Sequence, residues 1–345
     1  MIIQNMKGRV FGIGETVYDI IFKDNQPQRA VPGGSTFNAL VSLGRVGVPC
    51  SMVTEVGDDR VADIIYTYLV DNGVDTTYAY RHKGTKSHVS LAFLDEKNDA
   101  HYTFYKDYAR VRVESPDLNV SENDFVLFGS YFAINPAIRP YVKKMLQEAY
   151  EAGAHLYYDL NFRASHIHEI PNIIGSIEEN MRMSSVVRGS LEDFTCLYGT
   201  DDVEKIYEEH VKPHCSCFIC TNGSKEIYLR TPSIEATFPV EQIETVSTIG
   251  AGDNFNAGFI FALRRLNNQR ITNEYLTVSR KSTETGKGIG TEKGIGTEKG
   301  IGTGILQALS LEDWTGLIAT GQLFAQDVCR RFSNSISDEL VGRLV

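Results

Sequence analysis

Residues 245–258 read TVSTIGAGDNFNAG and combine three local signals in one short segment. The stretch 245–249 is strand-like because it is rich in β-branched residues, residues 250–252 form a turn of small residues, and Asp253 opens an amphipathic helix. Small residues allow a backbone to approach a ligand closely, and the free N–H groups at a helix start attract an anion. The segment therefore predicts a strand–turn–helix unit with an anion site at its turn.

The same alternation of strand-like and helix-like stretches extends over the rest of the chain. Short apolar runs predict strands at residues 10–13, 51–56, 125–128, 155–158, 185–187 and 218–221. Helix-like stretches lie at residues 36–45, 60–72, 138–152, 191–198, 254–266 and 311–325. Alternation at this spacing predicts a three-layer α/β/α domain with a mostly parallel central sheet, whose ligand site lies at the carboxyl ends of its strands.

Two parts of the chain depart from this alternation. Half-polar segments within residues 17–32 and 86–106 predict antiparallel strands of a small sheet that stands off the main layer. Residues 287–304, KGIGTEKGIGTEKGIGTG, repeat a six-residue unit whose glycine content and sparse apolar side chains oppose ordering. We therefore expect a single domain over residues 1–345 with a small second sheet and a low-complexity surface insertion at 287–304.

The charge balance and the apolar runs exclude some classes of partner. The 345 residues include 34 Lys and Arg against 44 Asp and Glu, a formal net charge of −10. This balance disfavours nucleic-acid binding, because affinity for a duplex depends on basic groups that neutralise phosphates. No apolar run reaches the roughly 18 residues of a membrane span, and the N-terminus lacks the apolar core of a signal peptide. We expect a cytoplasmic protein with no nucleic-acid and no membrane partner.

Two further segments place polar groups at predicted turns. In VPGGSTFN (31–38) two glycines precede a helix, and Asn38 lies one turn into that helix, where its amide can bond a polyhydroxyl ligand. In YDLNFR (158–163) polar residues follow a predicted buried strand, where an α/β sheet carries its site. Asp253 beside an anion site has two interpretations, because a carboxylate repels a phosphate. It either takes a proton from a hydroxyl that attacks a phosphoryl group, or it caps the helix.

Together, these three segments resemble the ribokinase-like (PfkB) family of carbohydrate kinases, from residue 10 to about residue 337. The family's two motifs appear as GG at 33–34 with Asn38 and the GDD block at 57–59, and as GAGD at 250–253. The resemblance implies a ribokinase-like fold and a carbohydrate kinase activity. In that activity Asp253 would deprotonate the sugar hydroxyl, and the N–H groups of residues 250–252 would bind the transferring phosphoryl group.

The resemblance also assigns other positions, residue by residue. The catalytic set it implies is Asp253, Gly250, Ala251 and Gly252. The implied sugar-binding residues are Asp19, Gly33, Gly34, Asn38, Asp159, Asn161 and Arg163. The implied nucleotide-side residues are Thr221, Gly223 and Ser190, with Asp193 as the carboxylate associated with a metal. The small-sheet strands resemble the lid that closes over the sugar and, in many members, pairs with a second subunit. We therefore expect ATP and Mg²⁺ as cofactors, a sugar as substrate and a homodimer formed through the lid.

The expected acceptor follows from details of the motifs, and alternatives within the family stay open. The pattern GExxxD at 14–19 with PGGSxFN at 32–38, and SLAFL at 90–94, look most like fructokinase-type members, so we expect fructose. Ribose, 2-keto-3-deoxygluconate and nucleosides are the alternatives, and Lys106 and Arg110 could recognise an acidic group on the sugar. Ser247 stands where the family usually has an Asp that helps to hold a monovalent cation, which puts a potassium requirement in question.

Two hypotheses from other classes were compared with the kinase. An oxidoreductase is suggested by Gly12-x-Gly14, but Val17 replaces the third glycine of the dinucleotide-binding motif and a strand continues where a helix is required. A non-catalytic sugar-binding sensor is suggested by Ser247 and by Ser190, which replace residues associated with the cation and with phosphate. Release of ADP with a panel of sugars discriminates the sensor from the kinase.

Overall fold

The fold is built on strands from both halves of the chain. A computed structural model describes residues 7–96, 100–105, 116–285 and 306–345. The strands within these residues are β1 (Val10–Ile13), β2 (Val17–Lys23), β3 (Gln26–Gly33), β4 (Cys50–Gly57), β5 (Val74–Asp75), β6 (Ala79–His82), β7 (Val89–Leu94), β8 (Ala100–Tyr105), β9 (Phe125–Gly129), β10 (His155–Asp159), β11 (Val186–Ser190), β12 (Phe218–Asn222), β13 (Glu226–Arg230) and β14 (Glu235–Pro239).

The main sheet has the order β14-β13-β12-β11-β10-β9-β1-β4-β5, and β6 also pairs with β4. Its pairs are parallel from β12 through β5 and β6, whereas β13 and β14 form an antiparallel edge. The chain runs outward from β1 to β4, returns to β9 on the other side of β1, and continues through β10, β11 and β12. The strand order thus reverses between β1 and β9, and such a switch point opens a crevice at the carboxyl ends of the strands.

Helices cover both faces of this sheet. They are α1 (Ser35–Arg45), α2 (Arg60–Asp71), α3 (Arg139–Glu151), α4 (Ile170–Met183), α5 (Leu191–Tyr198), α6 (Val203–Lys205, continued by a π-helical turn over Ile206–Val211), α7 (Ala251–Thr285), α8 (Leu311–Cys329) and α9 (Asp338–Leu344). One buried core contains side chains of α1, α2, α7, α8 and α9, and the other contains side chains of α3, α4 and α5. Apolar side chains on both faces of parallel strands require such double coverage. The predicted three-layer α/β/α architecture is confirmed.

A small second sheet stands apart from the main one, with the order β3-β2-β7-β8. The pairs β2/β3 and β7/β8 are antiparallel, and the central pair β2/β7 that joins them is parallel. The direction of the β2/β7 pair follows from the main sheet. Strands β1 and β6 both run parallel to β4, so the chain leaves each of them at the same edge of the main sheet and enters the lid in the same direction. We call this small sheet the lid.

Some predicted boundaries of strands and helices were wrong. Residues 245–249 form no strand, since the N–H groups of Val246 and Ser247 donate to Cys329 O (2.8 and 3.2 Å) at the end of α8. Helix α7 begins three residues earlier than predicted, at Ala251, so Asp253 lies within its first turn. The strand predicted at 185–187 is observed as β11, Val186–Ser190, and extends past the predicted end to include Arg188.

Three expectations about the organisation of the chain remain predictions. The insertion at 287–304 lies outside the described residues, as do Lys106 and Arg110. A single domain over 1–345 is likewise not tested. In the portion of the chain that the structure describes, no helix is both long enough and apolar enough to cross a bilayer.

Candidate active site

The crevice at the switch point collects residues from the carboxyl ends of neighbouring strands. Asp159 ends β10, Ser190 ends β11, and Thr221 lies at the end of β12. The 3₁₀ turn Tyr131–Ala133 follows β9, and the lid strands follow β1. Because parallel strands end at the same edge, residues far apart in sequence lie side by side here.

Asp253 and Asn38 are in direct contact in this crevice. Asn38 Nδ2 donates a hydrogen bond to Asp253 Oδ2 (2.8 Å), although the two residues are 215 positions apart in the sequence. Asn38 is buried in α1, and Asp253 is partly buried in the first turn of α7. The contact joins the two sequence motifs at one carboxylate.

The Asp253 carboxyl has an unusual proton affinity. Burial raises the pKa of Asp253 to about 6, and the charge of Asp159 acts in the same direction. The hydrogen bond from Asn38, the nearby Ser35 hydroxyl and the charge of Arg163 lower the pKa and offset part of this effect. A carboxylate with a pKa near 6 is a stronger base than an ordinary aspartate and is still ionised at neutral pH.

The small-residue turn before Asp253 has the geometry that its sequence requires. Gly250 has φ 79°, a left-handed conformation that favours glycine. Ala251 N–H donates within the turn to Thr248 O (3.2 Å), so one of the three N–H groups predicted to bind an anion is already engaged. Gly252 lies in the first turn of α7. The backbone N–H groups of a helix's first turn have no acceptor within the helix. The turn therefore keeps the electrostatic character of an anion site at a helix N-terminus.

Asp19 and the glycine pair form a second group at the crevice, next to the lid. Asp19 accepts a hydrogen bond from Ser90 Oγ across the β2/β7 pair. Burial raises the pKa of Asp19 to about 6, while the bond from Ser90 lowers it. A Cβ placed on Gly33 would lie 2.7 Å from Asp19 Oδ2, which shows how closely this backbone approaches the carboxylate. Gly34 has φ 132°, and a Cβ there would lie 2.3 Å from Glu15 O, so the turn needs glycine.

Asp159 is buried and forms the centre of a polar network. Arg188 Nη1 donates to Asp159 Oδ1 (2.9 Å), and Asn256 Nδ2 donates to Asp159 Oδ2 (2.8 Å). Ser35 Oγ also donates to Asp159 Oδ2 (3.3 Å). Arg188 Nη2 reaches Thr221 Oγ1 (2.9 Å), and the guanidinium lies against the anion turn. Asp159, which was predicted to contact the sugar, is thus a buried carboxylate that accepts hydrogen bonds from three side chains.

Arg188 is a neighbour of the anion turn that sequence reasoning missed. A Cβ placed on Gly252 would lie 2.9 Å from Arg188 Nη1, so the guanidinium lies directly behind the anion turn. The side chain is buried and also lies over the Phe255 ring, 5.7 Å from its centre. Burial lowers the pKa of Arg188, but the charges of Asp159 and Asp193, the Tyr157 hydroxyl and the hydrogen bond to Asp159 together hold the pKa above its ordinary value. A buried, permanently charged cation therefore lies next to the predicted phosphoryl site.

The remaining residues of the DxNxR segment lie at the mouth of the crevice. Asn161 has φ 37°, and its Nδ2 donates to Ser130 Oγ (2.7 Å), which holds the segment against the turn after β9. Arg163 is exposed, and its charge acts on Asp253. Arg163 is thus available to an anionic ligand near Asp253, whereas Asn161 is already engaged in holding the turn.

The predicted nucleotide-side residues lie further along the same edge. Ser190 caps α5 by accepting from Asp193 N–H (3.1 Å), and Asp193 Oδ2 accepts from Ser190 N–H (2.7 Å). Asp193 is buried, and this burial raises the pKa of its carboxyl. Gly223 has φ 54° and faces open space at the β12/β13 turn. The structure therefore gives Ser190 and Asp193 a capping role, and their contacts with nucleotide or metal stay predictions.

The predicted site residues fall into two groups. Those brought together around the crevice are Asp253, Gly250, Ala251, Gly252, Asn38, Asp19, Gly33, Gly34, Asp159 and Arg163. Those placed beside it or engaged elsewhere are Asn161, Thr221, Gly223, Ser190 and Asp193. Sequence reasoning missed Ser35, Arg188, Asn256 and Asn334. For Ser35 and Asn256 a signal existed, because both lie inside the two motifs, whereas Arg188 and Asn334 lie in no motif.

The chain matches one family model and several characterised relatives. The model described as pfkB family carbohydrate kinase matches residues 7–273. The chain is similar to an aminoimidazole riboside kinase of Salmonella typhimurium, with 26% identity over 270 residues, which cover 75% of this chain and 82% of that protein. It is also similar to a fructokinase of Rhizobium leguminosarum bv. trifolii, with 26% identity over 261 residues, which cover 73% and 78%.

Solved structures share the fold at lower identity. The crystal structure of aminoimidazole riboside kinase from Salmonella enterica, complexed with aminoimidazole riboside and an ATP analogue, has a TM-score of 0.74 at 19% identity and covers 98% of this chain and 100% of that chain. Fructokinase from Vibrio cholerae O395, in its fructose-, ADP- and calcium-bound form, has a TM-score of 0.76 at 17% identity and covers 98% of both chains. These likenesses establish the fold.

Proposed function

The chain belongs to the pfkB family of carbohydrate kinases, and from that premise we propose that it transfers the γ-phosphoryl group of ATP to a hydroxyl of fructose. Asp253 is the proposed general base, and the turn of Gly250, Ala251 and Gly252 is the proposed anion site. The observation that carries this proposal is the hydrogen bond between Asn38 and Asp253, because it joins the sugar-side motif to the phosphoryl-side motif at one carboxylate.

Proton transfer is the step assigned to Asp253. As the sugar oxygen attacks the γ-phosphorus, its proton passes to a carboxylate oxygen of Asp253, the bond from phosphorus to the β–γ bridging oxygen breaks, and ADP leaves. The raised pKa of Asp253, about 6, suits this role because the group is ionised at neutral pH and is more basic than an ordinary aspartate. Asn38 holds the carboxylate in place by its hydrogen bond.

Charge stabilisation is assigned to the anion turn and the cation behind it. Negative charge on the transferring group meets the N-terminus of α7, whose unpaired N–H groups and dipole favour an anion. Arg188, 2.9 Å from the Cβ position of Gly252, adds positive potential from a buried site. Such preorganised groups need no rearrangement as the reaction proceeds. The exposed Arg163 adds a second cation at the mouth of the crevice.

Mg²⁺ and a monovalent cation fit this site differently. Mg²⁺ usually binds through substrate phosphates and one or two carboxylates, and it would lower the charge of the ATP phosphates. Asp193 is the proposed nearby carboxylate, acting through water because it is buried and accepts the Ser190 N–H. A monovalent cation fits less well, because Ser247 supplies only a hydroxyl and that hydroxyl accepts from Ile249 N–H (3.2 Å).

The acceptor is the least constrained part of the proposal, and a second candidate has support. The sequence pattern favours fructose, and fructokinases are among the relatives. The aminoimidazole riboside kinase, with 26% identity, supports a riboside as the alternative acceptor. Ribose, 2-keto-3-deoxygluconate and other nucleosides are further family alternatives, and a sugar sensor without turnover is the non-enzymatic one. The lid residue Asp19, which accepts a hydrogen bond from Ser90, would meet the acceptor in each case.

A panel assay tests this proposal directly. Purified full-length protein is mixed with ATP, Mg²⁺ and one candidate acceptor, and ADP release is followed by a coupled assay. The expected result is the highest kcat/KM with fructose. Highest kcat/KM with aminoimidazole riboside would establish the riboside candidate instead. Sugar binding by calorimetry without ADP release from any acceptor would reject the kinase and support the sensor.

We expect kcat/KM to fall about tenfold per pH unit below about pH 6, because Asp253, whose pKa is raised to about 6, must be unprotonated to act as a base. The profile is measured as kcat/KM for the acceptor between pH 4.5 and 8. Asp19 also has a pKa raised to about 6. The variant Asp19→Asn should therefore keep an acidic limb that belongs to Asp253. A profile that stays flat down to pH 5 would contradict the assignment of Asp253 as the base.

The raised pKa of Asp253 also makes the stability of the fold depend on pH, in the direction opposite to that of kcat/KM. An unfolded aspartate has a pKa near 3.9, so between about pH 4 and 6 folded Asp253 binds more protons than the unfolded chain does. Its contribution to the free energy of unfolding therefore falls as the pH rises from 4 to 6. Urea unfolding of wild type and Asp253→Asn at both pH values isolates this contribution, and the variant should gain stability relative to wild type at the higher pH.

The lid carries the proposed homodimer interface. β8 is the edge strand of the lid, and Tyr105 on it has 58% of its surface exposed. An edge strand with exposed aromatic side chains is a common pairing surface. We expect Tyr105→Glu to raise the dimer dissociation constant at least about tenfold, because a buried unpaired charge is costly. The measurement is light scattering over a dilution series. Tyr150→Glu, at an exposed tyrosine on α3, is the control and should leave the dissociation constant unchanged. A monomeric wild type would reject the dimer.

A further inference from the structure

The loop 330–337, between α8 and α9, touches both motif turns through one residue. Asn334 Nδ2 lies 3.5 Å from the Cβ position of Gly33, on the sugar side. The Cα and O atoms of Asn334 lie 3.4 Å from the Cβ position of Gly250, on the phosphoryl side. Asn334 therefore lies between the two turns that the proposed reaction must bring together.

Hydrogen bonds fix the backbone of Asn334 in this place. Asn254 Nδ2 donates to Asn334 O (2.9 Å) and to Gly250 O (2.8 Å), so a single amide ties the loop to the anion turn. Ser42 Oγ donates to Asn254 Oδ1 and accepts from Ile336 N–H (3.2 Å), which ties the loop to α1 as well. The side chain of Asn334 is partly exposed, so the backbone is anchored while the amide faces the crevice side of Gly33.

The base of the loop is closed by an independent set of bonds. Asp327 Oδ1 accepts from Ser337 Oγ (2.6 Å), and Asp327 Oδ2 accepts from Ser337 N–H (2.7 Å). Arg331 bonds the Asp327 carboxylate and donates to Ser335 O (3.3 Å). The loop is therefore rigid without help from the Asn334 side chain, which leaves that side chain available for a ligand.

We propose that Asn334 is a specificity-determining residue that selects a neutral polyhydroxyl acceptor. Two groups flank the backbone of Gly33: Asp19 Oδ2, 2.7 Å from its Cβ position, and Asn334 Nδ2, 3.5 Å from the same point. A ligand that lies over Gly33 meets a carboxylate that accepts and an amide that both donates and accepts. This proposal rests on the proposed kinase function.

Hydroxyl groups match this pair better than an acidic group does. A sugar hydroxyl donates to Asp19 and accepts from the amide of Asn334, so both flanking groups are satisfied at once. An acceptor with a carboxylate at this position would face the Asp19 carboxylate and would find only a neutral donor beside it. Recognition of a carboxylate normally uses Arg or Lys, and neither flanking group is a cation.

The test compares side-chain variants at one position with a control in the same loop. Asn334→Ala is expected to raise KM for the neutral acceptor about threefold to tenfold, the value of one hydrogen bond between neutral groups. The KM for ATP and kcat should change less than about twofold, because the backbone contact with Gly250 is kept. Asn334→Asp keeps the shape but adds a charge next to Asp19, and it should weaken the neutral acceptor more than Asn334→Ala does. Ser333→Ala removes only bonds within the loop, from Ser333 Oγ to Ser335 O (2.8 Å) and from Ser335 N–H to Ser333 Oγ (3.3 Å), and should leave both KM values unchanged.

The outcomes separate this inference from the proposed function. An unchanged KM for the acceptor in Asn334→Ala overturns the inference, and so does an equal rise in the KM values for acceptor and ATP, which indicates a structural role. The dissociation constant of the acceptor, measured by calorimetry without ATP, gives a second readout. If wild type binds a neutral sugar without turnover, the kinase proposal fails, but a threefold to tenfold weaker binding by Asn334→Ala still supports the inference. Tighter binding of an acidic sugar than of its neutral counterpart overturns it.

Discussion

Asp253→Asn is expected to lower kcat by about 10²–10⁴-fold and to leave the dissociation constant of ATP nearly unchanged. The substitution keeps the size of the side chain, and its carbonyl oxygen can still accept the hydrogen bond from Asn38 Nδ2 that Asp253 Oδ2 accepts at 2.8 Å. What is lost is the ability to take the proton of the attacking hydroxyl. The measurements are kcat from ADP release and the ATP dissociation constant from calorimetry.

A matched control separates catalysis from helix stabilisation. Asp313 is also an acid in the first turn of a helix, α8, where it forms a capping box with Ser310. Asp313→Asn should cost about 0.5–2 kcal/mol of stability and leave kcat unchanged. If Asp253 serves only the helix, Asp253→Asn will resemble this control, with a small loss of stability and wild-type kcat. That result would remove the central residue of the proposed mechanism.

The layer architecture could be predicted because it depends on patterns that are local in sequence. The buried runs 10–13, 125–128 and 155–158 are strands within one residue of the predicted bounds, and α5 was predicted at its observed limits. Each of these has apolar residues in a short uninterrupted run or at helical spacing. Such patterns determine the element because burial of one face or both faces is what the sheet and its covering helices require.

The predicted ends of two strands failed for a reason that lies in tertiary contacts. One predicted strand ended at residue 158, before Asp159, and another ended at residue 187, before Arg188. Charged residues are rarely fully buried unless they are paired. In the sheet these two residues are register partners on β10 and β11, and their side chains form an ion pair (2.9 Å). Each charge is tolerated because the other is present. No pattern within either segment contains that information.

The same distinction applies to the candidate site. Asp253 and Asn38 lie in motifs whose residue types already indicate chemistry, so sequence reasoning could propose both. Arg188 has no motif around it, and its relation to the anion turn appears only through its distance from Gly252. Asn334 also lies in no motif, and its relation to the site appears only through its distances from Gly33 and Gly250, which are remote from it in sequence. Residues that act through packing against a motif, unlike residues within it, require the fold.

Arg188→Met is expected to lower the free energy of unfolding by about 3–5 kcal/mol, the usual effect of removing one partner of a buried ion pair. Arg188 and Asp159 have only 7% and 3% of their side-chain surfaces exposed, so water cannot replace the lost guanidinium. Asn256 and Ser35 still donate to Asp159, but neither neutralises its charge. Urea unfolding followed by circular dichroism measures the effect.

The double variant Arg188→Met/Asp159→Asn distinguishes an unpaired charge from a packing defect. If the uncompensated carboxylate causes the loss, removing its charge should restore a large part of the stability, and the double variant should be more stable than Arg188→Met alone. Arg188→Lys, which keeps the charge but cannot reproduce the two-pronged contact with Asp159 and Thr221, serves as the variant of choice if Arg188→Met does not fold. Equal stability of Arg188→Met and wild type would mean that the pair contributes nothing to the fold.

Because the guanidinium also lies behind Gly252, Arg188→Lys should lower kcat more than it raises KM for the acceptor, as expected of a group that stabilises charge in the transition state.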